Sequence, residues 1–526
     1  MRQVVSFCLT VVLSLLVVAT ATAQDTFRVV RGDCISGLSA DGGDASLNRA
    51  PQSRRLPAMK TDWDPERVYK QMVILVEFSE GTEDTSDDTK FNRDDARGVY
   101  DQIFNQKGYN ERQGVGCVAD YFRDQSNGLF NLSFDVFGPY LVNQKAKSSS
   151  SKNLGAGTFR EAAQKMIAAN PNHDFSVYDW DGNGTIEQVI FVYAGLGGNT
   201  TDGYIWPNTG SFTSVTTPDG KRINNYTASA EHWPTTKKAS CGIGTICHEF
   251  SHSLGLPDIY PAHNTSWSVS VCDEWDLMDG GNFTNYGWCP PNYTALEKYL
   301  LGWLSFEELT GPTTITGLKP VSEGGAAYRI KHSSSEWLVL ENRQWTGWDS
   351  GMPGKGLVVY HVYYDGSVWR GNSVNDSQEH PRFILMPADN LNYNQWRDQI
   401  GDESPYAVSD HMNNRILSTS SYPYVTDGVV MNNRLTDDST PASTMYFPNE
   451  QGSAQLAKPL TNIVLADDGS VSFDFMGGDP TGIREVGMLS STPAAVYDLS
   501  GRAVQRQGRG IFVIRQSDGT VRKVFK

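Results

Sequence analysis

Two histidines four residues apart, His248 and His252, constrain this chain more than any other feature, with Gly255 and Asp258 following at intervals of three. At a spacing of four the imidazoles lie on one helix face. Both can then bind one Zn²⁺, at roughly 2.0–2.1 Å each. Gly255 falls where a helix would close on a left-handed residue, which glycine adopts cheaply, and Pro257 keeps the helix from resuming. The chain therefore turns, and Asp258 can swing back to complete a three-ligand site with a fourth position for water. Glu249, beside the first ligand, stands where a general base takes the proton of an attacking water. The full pattern H-E-x-x-H-x-x-G-x-x-D is more specific than a bare H-E-x-x-H, which long chains acquire by chance. The competing reading is a salt-bridged surface helix that happens to carry two histidines.

The sequence departs from the usual metzincin signature in one place: Asp258 stands where a third histidine is customary. Glu274 is the alternative third ligand. Met278 lies in a Gly-rich turn, Trp275 to Gly281, 20 residues beyond Asp258. It is the candidate for the Met turn that forms an apolar floor beneath a metzincin metal. A lone methionine is otherwise ordinary core packing. No tyrosine follows Met278 by two residues, so the transition-state donor is unassigned among Tyr260, Tyr286 and His232.

Residues 1–23 have a charged start at Arg2, an apolar run from Val11 to Ala19, and Ala21-Thr22-Ala23 before Gln24. This is the pattern of a cleaved secretory signal. No second long apolar stretch follows, so the mature chain is expected to be secreted and to lack a membrane span. Six cysteines remain after the signal, and export permits disulfides; Cys272 and Cys289, bracketing one loop, are the preferred bridge. Acidic residues outnumber basic ones, 60 to 44, for a net charge of −16. That balance argues against nucleic acid as a partner, since phosphate binding needs a basic face.

The 526 residues exceed the roughly 250–300 at which one hydrophobic core stops growing. Residues 24–66 are polar and aperiodic, as in a leader or pro-segment, with Arg54-Arg55 as a plausible cut region. Buried-strand runs at 71–78 and 188–193 alternate with helical stretches around 93–107, 115–125 and 158–169. An α/β (α+β) catalytic domain is therefore expected over 67–305. From 306 to 480 short strands such as 337–340, 356–360 and 471–475 predict a β-rich domain. A small β module closes the chain at 481–526.

Beyond the zinc pattern, the chain resembles the immune inhibitor A-like family of secreted zinc metallopeptidases. The resemblance is carried by Gly116 to Ser126, Phe134 to Pro139, Leu296 to Leu304, Leu340 to Gln344 and Gly356 to Val362, and runs from about 70 to 478. It implies a metzincin-like fold and hydrolysis of protein or peptide substrates, with His248, His252 and Asp258 as ligands and Glu249 as base. A rival reading is a non-catalytic surface adhesin or glycan-binding protein on a decayed protease scaffold. The intact Glu249 and ligands count against it.

Three further features carry expectations. Asp179, Asp181, Asn183, Thr185 and Glu187 place oxygen ligands at alternate positions around Gly184, resembling the first nine positions of an EF-hand loop and suiting Ca²⁺. The twelfth position is Ile190, so the loop is incomplete, and an ordinary Asp/Asn/Gly turn is the competing reading. Cys34, in the leader, is placed to act as a latency switch that occupies the open zinc position; a structural disulfide is the alternative. Residues 482–526 carry eight basic and three acidic side chains and resemble the sorting domains of Bacteroidetes type IX secretion substrates. That resemblance implies an outer-membrane secretion machinery as partner.

Overall fold

A computed structural model of the protein describes residues 55–80, 86–112, 114–147, 155–263, 270–400 and 416–479. In the tail it describes 493–498, 502, 504, 511–516 and 521–525. The signal-type segment 1–23, Cys34 and Arg54 lie outside the described residues. No helix among those described is long and apolar enough to cross a membrane.

Five strands, β1 (Val68–Glu80), β2 (Asn131–Lys145), β3 (Val189–Tyr193), β4 (Asn208–Thr216) and β5 (Arg222–Ala230), form a sheet ordered β2-β1-β3-β5-β4. The first four in that order are parallel, and β4 runs antiparallel to β5 on the edge. A parallel sheet covered on both faces needs apolar side chains on both, which explains the unbroken run Met72–Val76. Val73 and Leu75 enter one core and Met72, Ile74 and Val76 another. Over the first face lie α1 (Ala96–Asn105), α2 (Val118–Gln125) and α4 (Gly244–Ser253), contributing Phe104, Phe122 and Phe250; α3 (Ala156–Ala169) covers the second with Phe159 and Met166. Asp95 caps α1 through Gly98 N–H, and Cys117 with Asp120 forms a capping box on α2.

Beyond residue 305 the chain builds β6 (Glu307–Glu308), β7 (Thr313–Leu318), β8 (Tyr328–Lys331), β9 (Glu336–Arg343), β10 (Gly356–Tyr363) and β11 (Phe383–Leu385). The hairpin β12 (Tyr424–Thr426) and β13 (Val429–Asn432) follows, then β14 (Leu460–Leu465) and β15 (Val471–Phe475). A second five-stranded sheet is ordered β11-β10-β9-β8-β6, and a three-stranded one β14-β15-β7. All eight residues of β9 are buried. Its Trp337 and Val339 join the core that holds α4, while Leu338 and Leu340 face the core shared with Phe473 and Phe475. The β-rich region thus shares side-chain packing with the first sheet. The compact body ends at Gly478, and Asp479–Lys526 is a second unit. In that unit β16 (Pro493–Asp498), β17 (Ile511–Gln516) and β18 (Val521–Phe525) form an antiparallel sheet in chain order.

Two expectations are modified. The last stretch of the leader is built into the body: Leu56 N–H donates to Arg370 O at 2.8 Å and Trp63 Nε1 to Leu301 O at 2.6 Å. Trp63 also packs on Phe130 and Trp303. The expected Cys272–Cys289 bridge is absent: both are free thiols, as are Cys117, Cys241 and Cys247. The intervening chain coils into two 3₁₀ turns, and Cys289 Sγ is directed instead to Trp348 O and Ser350 Oγ at 3.4 and 3.2 Å.

Candidate metal centre

Helix α4 spans ten residues, of which Gly244 to His252 are buried between the sheet and the β-rich region. It ends where the sequence requires. Gly255 takes a φ of +99°, and an added Cβ would meet the Met59 backbone at 2.9 Å, so conformation and space both demand glycine there. The reversal brings Asp258 back beneath the helix, and ligand atoms of His248, His252 and Asp258 lie within 4.8 Å of one another.

Asp258 Oδ1 is 3.1 Å from His248 Nε2 and 3.4 Å from His252 Nε2. Two atoms each at 2.0–2.1 Å from a tetrahedral Zn²⁺ would stand about 3.3–3.4 Å apart. The hydrogen bonds behind the rings sharpen the argument. His248 Nδ1 is 2.8 Å from Leu277 O, and His252 Nδ1 is 2.8 Å from Leu256 O. A carbonyl only accepts, so both Nδ1 atoms carry the proton, and in a neutral ring Nε2 is then a lone pair. Two lone pairs and a carboxylate oxygen therefore converge in a site where all three residues are buried. His252 Nε2 has no hydrogen-bond partner at all. A cation among these three atoms resolves the arrangement, and the mixed nitrogen and oxygen donors suit zinc.

Glu249 is also buried. Thr209 Oγ1, on the edge strand β4, lies 3.0 Å from Glu249 Oε2 and 2.6 Å from its carbonyl oxygen. Met278 sits in the turn expected of it and is fully buried. The turn touches the site through its backbone: Leu277 O holds His248, and Met278 O accepts from Ile259 N–H at 2.9 Å. Glu274 is not among the residues gathered around His248 and His252. Sequence reasoning missed Thr209 and Asn372. Thr209 lies on a polar strand without an apolar run, and Asn372, whose Nδ2 donates to Asp258 Oδ2 at 2.7 Å, is 114 residues from its partner.

In the second loop Asp179, Asp181 and Glu187 offer oxygens within 4.8 Å of one another. Asp179 Oδ1 has no hydrogen-bond partner, while its Oδ2 is paired with Lys221 Nζ at 2.8 Å. Glu187 accepts from the Trp180 and Asp181 N–H groups, and burial pushes it up to about 7. Asn183 and Thr185 are turned to other bonds, Asn183 Oδ1 to Thr185 N–H and Thr185 Oγ1 to Arg222.

Residues 58–300 match the family model described as "Immune inhibitor A peptidase M6, catalytic domain". Among curated proteins, the "Pre-pro-metalloprotease PrtV" of Vibrio cholerae serotype O1 is 23% identical over 310 residues, which is 50% of this chain and 33% of the relative. The "Immune inhibitor A" of Bacillus thuringiensis subsp. alesti is 22% identical over 386 residues, 62% of this chain and 53% of the relative. The chain thus covers between a third and about half of the relatives it matches. The matched stretch contains His248, Glu249, His252 and Asp258, so the converging donors lie within a region similar to a peptidase M6 catalytic domain, and a metallopeptidase is what that similarity implies.

Proposed function

We propose that this protein is a secreted zinc endopeptidase that cleaves peptide bonds of extracellular proteins, with Glu249 as general base. The observation that carries the reading is the convergence of His248 Nε2, His252 Nε2 and Asp258 Oδ1, with both Nδ1 protons committed to carbonyls. Zinc held by these three atoms would supply a Lewis acid for the scissile carbonyl and make water a nucleophile near neutral pH. Glu249 takes the water's proton and returns it to the leaving amine. Thr209 Oγ1 on β4 lies against Glu249, 3.0 Å from its carboxylate and 2.6 Å from its carbonyl oxygen. Leu277, carried by the turn of Met278, keeps His248 in its ligating orientation.

The test is a protease assay of the leader-processed protein with and without a zinc chelator, beside Glu249→Ala. Activity is expected to vanish in both cases; activity indifferent to both would sink the reading.

Around this centre the same proposal includes export through residues 1–23, latency through Cys34 and an address for an outer-membrane secretion machinery in 482–526. For latency, Cys34→Ala should release activity from the full-length form, and a fully active unprocessed wild type would remove the idea. For the address, deleting 482–526 should retain the protein in the cell. A structural Ca²⁺ at Asp179, Asp181 and Glu187 is supported by the inward Asp179 Oδ1 without a partner.

A further inference from the structure

The three ligating side chains are braced from different parts of the chain. His248 and His252 are held by carbonyls of Leu277 and Leu256, both within the stretch that matches the peptidase model. Asp258 is held from beyond it. Asn372, 1% exposed, makes a reciprocal pair with this one residue. The Asp258 N–H donates to Asn372 Oδ1 at 2.7 Å, and Asn372 Nδ2 donates to Asp258 Oδ2 at 2.7 Å. Engaging Oδ2 leaves Oδ1 directed at the two imidazole nitrogens. A bond to an ionised acceptor in a buried site is among the stronger kinds, so it fixes the rotation of the carboxylate about χ2.

The contact continues along the chain. Asn375 Nδ2 donates to Ile259 O at 2.6 Å, and Asp376 accepts from the His263 N–H at 2.9 Å and lies 2.8 Å from its Nδ1. Segment 372–376 therefore runs against 258–263, bonded at its start, middle and end. The second sheet anchors it: Asn375 Nδ2 donates to Phe383 O, and its Oδ1 accepts from Phe383 N–H, on β11. Asn375 satisfies backbone groups only, as an asparagine that merely orders a loop would do. Asn372 differs because its amide nitrogen is spent on the ligand itself.

We propose that Asn372 is a positioning residue for the metal centre. It sets the Asp258 carboxylate so that ion retention depends on the β-rich region, not on the peptidase-like stretch alone. The inference rests on the zinc reading of His248, His252 and Asp258. Partners of this kind, one bond behind a ligand, typically contribute 10–100-fold in metal affinity.

The test is a zinc titration of the full metal-free chain against a competing chromophoric chelator. Asn372→Ala should weaken zinc binding by about 10–100-fold. Asp376→Ala, which cuts the same contact at its far end without touching a ligand, should stay close to wild type. With zinc saturating, Asn372→Ala should keep the wild-type KM and lose only kcat. If Asn372→Ala does not fold, Asn372→Asp takes its place: it keeps the acceptor for the Asp258 N–H and is expected to show the same loss. Equal affinity in wild type and the Asn372 variant overturns the inference, as do equal losses in the Asn372 and Asp376 variants, which would mark general loop support. A wild-type chain that binds no zinc refutes the metal-site reading beneath it, and so separates the two failures.

Discussion

Replacing Gly255 by alanine tests the joint between the helix of His248 and His252 and the returning Asp258. The residue sits at φ +99°, where an L side chain costs about 1–2 kcal/mol relative to glycine. The new Cβ would lie 2.9 Å from both Met59 Cα and Met59 N. These are backbone atoms, so no rotamer change relieves the contact, and overpacking of this kind costs about 1–3 kcal/mol. The lower entropy of alanine in the unfolded chain offsets only about 0.4–1 kcal/mol. A net loss of about 1–5 kcal/mol is expected in urea unfolding of the metal-free protein. Where the strain goes is also readable. The Met59 side is held by the Leu56 N–H to Arg370 O bond and a longer one, 3.3 Å, from Lys60 N–H to Leu254 O. The helix side is held by Gly255 N–H to His252 O at 3.1 Å and by the bond from His252 Nδ1 to Leu256 O. Segment 55–60 is the less buried partner and should yield first, so stability should fall while zinc affinity changes little. A stability within about 0.5 kcal/mol of wild type would contradict both the steric and the conformational argument.

Thr209→Val removes a hydroxyl from the buried Glu249 carboxylate; a bond to a charged group contributes about 1.5–3 kcal/mol, so kcat/KM should fall about 10–100-fold with zinc content unchanged, and an unaltered kcat/KM would show the contact to be idle. Arg343→Met leaves Asp349 and Glu341 buried without the guanidinium that now lies 2.7 and 3.3 Å away; a loss of about 3–5 kcal/mol is expected in urea unfolding, and a neutral effect would mean the pocket relaxes. Burial pushes the Glu297 carboxyl up from 4.5 to about 7, so the native state binds more protons than the unfolded chain between those values, and stability should decline as pH rises through that window. Glu297→Gln should flatten that decline, measured as urea midpoints from pH 5 to 8; identical slopes would assign the effect to another group. Metal analysis should find one Ca²⁺ per chain that disappears in Asp181→Ala, and its persistence would move the ion elsewhere.

Much of the first sheet was legible because a parallel strand covered on both faces must be apolar at every position. The runs at 71–78 and 188–193 surface as β1 and β3 for that reason. The helical stretches around 93–107 and 158–169 likewise surface as α1 and α3. The strand β4 escaped notice because its sequence, Asn208–Thr216, is mostly small and polar and carries no unbroken apolar run, and its Thr209 went with it. The Cys272–Cys289 pairing failed because spacing along a chain does not report which way two thiols point.

His248, Glu249, His252, Gly255 and Asp258 lie within eleven residues. Helical periodicity and the conformational freedom of one glycine act over that distance, so the sequence alone determined which side chains converge. How the convergence is held was decided elsewhere. Leu277 lies 29 residues from His248, Thr209 lies 40 from Glu249, and Asn372 lies 114 from Asp258. Those partners meet only in the folded chain, and Asn372 only through the packing of the β-rich region, because a buried polar atom takes whatever complementary group the closed chain brings within about 3 Å. No local pattern encodes that choice.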